Sequence, residues 1–237
     1  MSTRLARLVS LSLLLVLPAC GGGGLIGSGR RVTESRDATP FATLEVHSAI
    51  VVTATKGPPT LTIEADDNVI GLVRTDVTND RLVIRLPDGM VLFPSTKPIE
   101  VRLSNERFEG VSASGASEVR FPATRTNTLR LEASGASVLE ASGVDADAVL
   151  VDLSGASRLV ASGRATSMAL TVSGSSSATT RELPVDRLTL EVHGASNVSA
   201  TAVTVDGALS GASQAELAGA LTRVDVETSG SSTLRRP

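Results

Sequence analysis

Between residues 110 and 234, apolar side chains recur at every second position on either side of a short break of small residues, and the break itself returns about every twenty residues. It reads SGAS at 114–117, 134–137, 154–157 and 210–213, SGSS at 173–176 and 229–232, and HGAS at 193–196. The glycines Gly115, Gly135, Gly155, Gly174, Gly194, Gly211 and Gly230 stand 20, 20, 19, 20, 17 and 19 residues apart. One column before the break reads Val111, Leu131, Val151, Leu170, Leu190, Gly207 and Val226. A second, after it, reads Val119, Leu139, Leu159, Ala178, Val198, Ala215 and Leu234. Between these columns and the break the residues are mostly polar, such as Glu132, Asp152 and Glu191. Period-two alternation on both sides of a fixed break predicts two short strands per unit, joined at the break, with both columns facing inward.

A period near twenty with strand-like contents and no amphipathic helical segment predicts a solenoid, in which each unit buries its apolar face against its neighbours. The leucine-rich alternative requires a Leu-x-x-Leu-x-Leu spacing that the units lack. Copies that run in one direction must lie parallel, so the expected fold is all-β, a parallel β-helix with about 20 residues per rung. Six intervals of about 4.8 Å span roughly 29 Å. Glycine at the second corner position predicts a backbone with φ > 0 and a neighbouring rung too close for a side chain. Ser117, Ser137, Ser157, Ser176, Ser196, Ser213 and Ser232 hold the fourth position. Their hydroxyls both donate and accept, which predicts a ladder bonded from rung to rung or to corner amides.

Residues 41–110 keep the periodicity without the motif, in LEV (44–46), LTI (61–63), RLVIRL (81–86) and IEVRL (99–103). They are read as earlier, irregular rungs of one domain spanning 41–237, with the regular repeats in 111–237. The stretch PDGMVLFPSTKP (87–98) places Met90, Val91, Leu92 and Phe93 in a row. An apolar run with no rung to fill is expected to cap the core or to form a contact surface.

Composition sharpens this picture. The chain is 41% hydrophobic but only 2% aromatic, with no Trp and no Tyr, so its core must be Val, Leu, Ile and Ala. Net charge is −3 and the 22 basic residues are scattered, which argues against nucleic acid as a partner. Arg4 and Arg7 precede LVSLSLLLVL (8–17), too short to span a bilayer and suited to a secretory signal peptide over 1–19. Leu17, Ala19 and Cys20 in LPAC resemble a bacterial lipobox, with Pro18 in place of the usual small residue. The expected product is a lipoprotein held to the membrane through acylated Cys20, followed by a Gly-rich flexible tether over 20–40. Gly rather than Asp at position 21 resembles the outer-membrane sorting signal, which implies an outer-membrane lipoprotein of the cell envelope. With one cysteine, no disulfide can form within the chain.

The lipobox, the opening FATLEVHSAIVVTATKG, the DRLVIRL segment and the serial S-G-[AS]-S units together resemble the auto-transporter adhesin head-GIN-domain family over roughly 41–237. The resemblance implies a right-handed β-helix on a secreted or lipid-anchored protein, with an adhesin role inferred from shape. The residues after Ser232 are not expected to form an outer-membrane barrel, so anchoring is assigned to the lipid.

Parallel β-helices also carry polysaccharide-degrading sites, which need converging acids and bases or a calcium cluster. His47 and His193 fall in different parts of the repeat, and His193 replaces a corner serine. Asp66 with Asp67, and Asp145 with Asp147, sit beside expected turns, where solvated carboxylates are ordinary. Phe41, Phe93, Phe108 and Phe121 are the whole aromatic content, little for a carbohydrate platform. Corner serines without a base form no triad. No catalytic residue, metal ligand or cofactor is expected. The reading is a binding, adhesion-like or scaffolding role toward a glycan or surface protein, the alternative being an enzyme acting on cell-envelope polysaccharide. The sequence sets no oligomeric state.

Overall fold

The computed structural model describes residues 24–93 and 97–236. It is an all-β solenoid of about six turns, roughly 20 residues each. The strand Ser177–Val192 shows why. Ala178, Thr180, Leu183, Val185, Leu188, Leu190 and Val192 are buried, and the residues between them face out. The alternation slips twice, at Arg181 with Glu182 and at Asp186 with Arg187, where two successive residues are exposed. Strand residues alternate faces, so two outward residues in a row mark a bend of the backbone.

Together with the glycine break, these slips give each coil three sides, where the sequence had suggested two strands per unit. In Ser177–Val192 the extra bends use an outward polar pair in place of a four-residue turn. Pairing therefore continues around them, and single strands run Val138–Leu153, Arg158–Val172 and Ser177–Val192.

Stacking is parallel and in the register expected. Val111, Leu131, Val151, Leu170, Leu190, Gly207 and Val226 are successive partners. So are Val119, Leu139, Leu159, Ala178, Val198, Ala215 and Leu234. Three of the four phenylalanines plug the first coils: Phe108 lies 5.9 Å from Phe41 and 5.7 Å from Phe121 between ring centroids.

The N-terminal third departs from a simple run of rungs. Thr43–Val46 and Ile50–Lys56 form a coil that pairs with Gly110–Ala113 and Glu118–Pro122 on one side. On its other side lie the later segments Arg81–Arg85 and Ile99–Asn105, so the order of coils in space is not the order along the chain. Thr60–Asp66, expected as a rung, instead runs antiparallel to Ile99–Asn105. Arg31–Arg36 runs antiparallel to Thr60–Asp66, and Arg74–Thr78 to Arg81–Arg85. These three strands cap the solenoid.

Folding also begins before Phe41. Arg31–Arg36, expected in a flexible tether, is a strand whose Arg36 guanidinium donates to the carbonyls of Val73 (2.6 Å) and Ile70 (3.1 Å). Arg31 donates to the Glu64 carbonyl at 3.0 Å. The segment is polar because it is an outermost strand with largely solvated side chains, a composition that protects edges from unwanted pairing.

Candidate functional site

The repeated corner is the most regular feature of the surface. All seven glycines lie at φ between 71° and 81°, the left-handed region. From Gly135 onward, the amide of the residue after each corner glycine donates to the carbonyl of the glycine one coil earlier, as from Ala136 to Gly115 and from Ala156 to Gly135, both 2.7 Å. That same oxygen stands where a side chain would begin. A Cβ built on Gly135, Gly155, Gly174, Gly194, Gly211 or Gly230 would lie under 3.0 Å from it. Glycine is thus required by conformation and by the neighbouring coil.

An eighth corner, not recognised in the sequence, stacks below Gly115. It comprises His47, Ser48, Ala49 and Ile50, with Ser48 at φ 71° and Ala49 at φ 59°. Its signal was the likeness of LEVHSA (44–49) to LEVHGA (190–195). Ser48 borders a groove, and left-handed serine costs about 1–2 kcal/mol without the carbonyl collision.

Six of the seven corner serines, all but Ser232, are buried, and the hydroxyls mostly close their own corner. Those of Ser117, Ser137, Ser157 and Ser232 donate to the carbonyl three residues earlier, at 2.7–2.9 Å. Three reach an adjacent coil: Ser176 accepts from the Ser157 amide and Ser196 donates to the Gly174 carbonyl, both at 3.3 Å, and Ser232 also donates to the Leu209 carbonyl at 3.2 Å. The hydroxyl of Ser213 is buried with no hydrogen-bond partner. The expected rung-to-rung ladder is therefore carried by backbone amides. In four of the seven corners the tight turn brings the hydroxyl within reach of its own first carbonyl.

Beside the eighth corner is a groove of about 440 Å³, lined by Glu45, His47, Arg85, Asp88 and Met90 among others. His47 Nδ1 contacts the Ser114 hydroxyl, and its Nε2 lies 2.8 Å from Glu45, which also accepts from Arg81 at 3.1 Å. A base thus stands beside a serine at the first corner position, a column distinct from the seven fourth-position serines. A second instance occurs at His193, whose Nδ1 lies 2.7 Å from the Ser210 hydroxyl. Each histidine takes the first corner position and reaches the equivalent serine one coil on. With Ser114 at Nδ1 and Glu45 at Nε2, the groups stand in the order of a Ser–His–carboxylate relay.

The loop singled out by its apolar run divides in two. Val91–Leu92 pairs in parallel with Gly24–Leu25, and Met90 and Leu92 pack on the core. Phe93 is 48% exposed.

The acidic pairs are engaged by arginines. Asp145 lies between Arg164 (3.2 Å) and Arg125 (2.8 Å), and Arg125 also holds Asp147 at 2.9 Å. Hydrogen bonds from Arg164, then from Arg125, hold the Asp145 carboxyl below its ordinary value. Asp67 is likewise lowered, first by the Ser28 hydroxyl and then by Arg30. Asp66 is buried, accepts from the Gly29 amide at 3.1 Å and faces Arg31 at 3.7 Å. Among the described residues no group of three His, Cys, Asp or Glu side chains is placed to hold a metal ion. Cys20 lies outside the described residues.

Solved structures share this architecture. A "putative adhesin" from Bacteroides fragilis superposes with a TM-score of 0.82 at 18% identity, covering 90% of this chain and 100% of its own. A "putative lipid binding protein" from Parabacteroides distasonis gives 0.71 at 12% identity, covering 91% and 100%. A "putative adhesin" from Parabacteroides merdae gives 0.63 at 15% identity, covering 90% and 99%. At these identities the likeness shows the fold. No curated protein matches the sequence. The family model described as "Putative auto-transporter adhesin, head GIN domain" matches residues 40–219, a span that holds six of the seven stacked glycine corners, all but that of Gly230, so the chain belongs to this family.

Proposed function

We propose that the protein is an outer-membrane lipoprotein whose solenoid presents a rigid binding surface, with an adhesion-like or envelope-scaffolding role toward a glycan or a surface protein. The observation that carries this reading is the point at which the chain enters the fold. Gly24–Leu25 and Arg31–Arg36 both pair at the capped end, and Cys20 is four residues before Gly24. An acyl group on Cys20 holds the solenoid by that end. The eight corners from His47 to Ser229 then extend over seven intervals of about 4.8 Å, roughly 34 Å. A stiff rod attached at one end suits display better than turnover.

Replacing Cys20 by Ala is expected to move the protein from the membrane to the soluble fraction without changing its unfolding midpoint. Membrane association that survives the substitution refutes the anchor. The released chain is then screened against envelope glycans and surface proteins, with product analysis. Saturable binding without product formation supports the binding role.

A hydrolytic reading has one observation in its favour, the Ser114–His47–Glu45 order. It requires product formation that Ser114→Ala abolishes. Recurrence of the contact at His193 and Ser210 fits a stitch between coils instead.

A further inference from the structure

Four large hydrophobic side chains are exposed among the described residues, and two of them are neighbours: Ile26 (60%) and Phe93 (48%). They extend the short parallel ribbon in which Leu25 is the partner of Leu92. The ribbon's inward residues, Leu25 and Leu92, pack on the core. Its outward side is apolar as well, because the Phe93 ring lies over Gly24, where a Cβ would collide with it. The backbone beneath is fixed. The Phe93 amide donates to the Leu25 carbonyl at 3.1 Å, and the Asn68 side chain donates to the Ile26 carbonyl and accepts from the Ser28 amide, both at 2.9 Å. An exposed apolar pair on a braced backbone is prepared for a partner without further ordering cost.

The chain itself indicates which partner. Gly24 is the first described residue of this ribbon, and Cys20 precedes it by four residues, a reach of at most about 14 Å fully extended. An acyl chain inserted at Cys20 therefore keeps Gly24 within about 14 Å of the bilayer, near enough for Ile26 and Phe93 to reach its interfacial zone. We infer that the Ile26–Phe93 patch is a membrane contact that seats the capped end on the lipid surface and orients the solenoid away from it. The inference rests on acylation of Cys20. It assigns to the apolar loop a lipid partner, and leaves the coils beyond it for the display role. The acyl chains supply affinity, and the patch supplies orientation, since attachment at a single residue leaves the angle of the solenoid open.

The absence of Trp and Tyr from the sequence makes the test direct. Phe93→Trp and, separately, Ile26→Trp each introduce a single indole, with Val160→Trp, on the outer face of a middle coil, as control. The full acylated chain is reconstituted in phosphatidylethanolamine–phosphatidylglycerol vesicles with and without brominated acyl chains, and Cys20 acylation is scored by mass spectrometry. The expected result is blue-shifted emission, more than half quenched by bromolipid, at positions 93 and 26 but not at 160. Acylated protein whose indoles at 93 and 26 emit as in water and escape quenching overturns the patch while leaving the anchor intact. Unacylated protein overturns the anchor. In that case the patch stands only if the unacylated chain, added to the same vesicles, is still quenched at 93 and 26, and falls if it is not.

Discussion

At the scale of the residue, two demands on the corner glycines can be separated by experiment. Gly155 has φ 76° and a Cβ there would lie 2.6 Å from the Gly135 oxygen. Gly143 has φ 66° with nothing within 4 Å of the equivalent point. Alanine at Gly143 is expected to cost only the left-handed strain, about 1–2 kcal/mol. Alanine at Gly155 adds a collision with backbone that cannot swing aside, so its cost should exceed that of Gly143→Ala by at least about 1 kcal/mol. Denaturant midpoints of the two variants measure the difference directly, and equal midpoints contradict the carbonyl collision. The serines separate in the same way. Ser157→Ala removes a 2.7 Å hydrogen bond to the Ser154 carbonyl and should cost about 1 kcal/mol. Ser213 buries a hydroxyl with no partner, so Ser213→Ala should be neutral or stabilising.

At the scale of the element, the cap depends on a few guanidinium groups in place of the corner device. Arg36 reaches the carbonyl of Ile70, which opens the short 3-10 turn Ile70–Leu72, and that of Val73, which follows it, joining an outermost strand to the turn beneath it. Charged donors to buried carbonyls contribute about 1.5–3 kcal/mol, and carbonyls left unpaired add to the loss. Arg36→Ala is therefore expected to speed amide hydrogen exchange in 31–36 and 61–66 while 138–192 keeps its protection. Exchange that accelerates uniformly would mean that cap and coils open as one unit. The cap was also the least legible part of the sequence. LTI at 61–63 alternates as a rung strand does, and nothing local distinguishes parallel from antiparallel neighbours. One signal was available: Asn79 and Asp80, at φ 51° and 65°, make the two-residue hairpin between Arg74–Thr78 and Arg81–Arg85, and Asn-Asp tolerates that backbone.

At the scale of the whole molecule, each coil bonds to the coil before and the coil after, and contacts between more distant coils are few. Stability is then close to a sum of coils and their interfaces. A lesion at Gly155 is expected to reduce exchange protection most in the flanking coils, over 134–176, with the effect fading toward the cap. Equal loss everywhere would show a single cooperative unit.

What the sequence determined by itself was whatever the repeat states many times over: the parallel stacking, the register of both apolar columns, and the glycine at each corner. Each depends on one residue and its counterpart about twenty positions away, so periodicity alone exposes it. The tertiary structure decided what occurs once. It placed the segments 81–85 and 99–105 beneath 43–56, turned 60–66 antiparallel and ended the column on Ser48. It brought His47 to Ser114 across 67 residues of sequence and set Phe93 beside the entering chain. These contacts join segments with no shared pattern. Closing a long loop costs an entropy that grows only slowly with its length, so such pairings are chosen by the shape of the surfaces that meet and leave no period in the sequence.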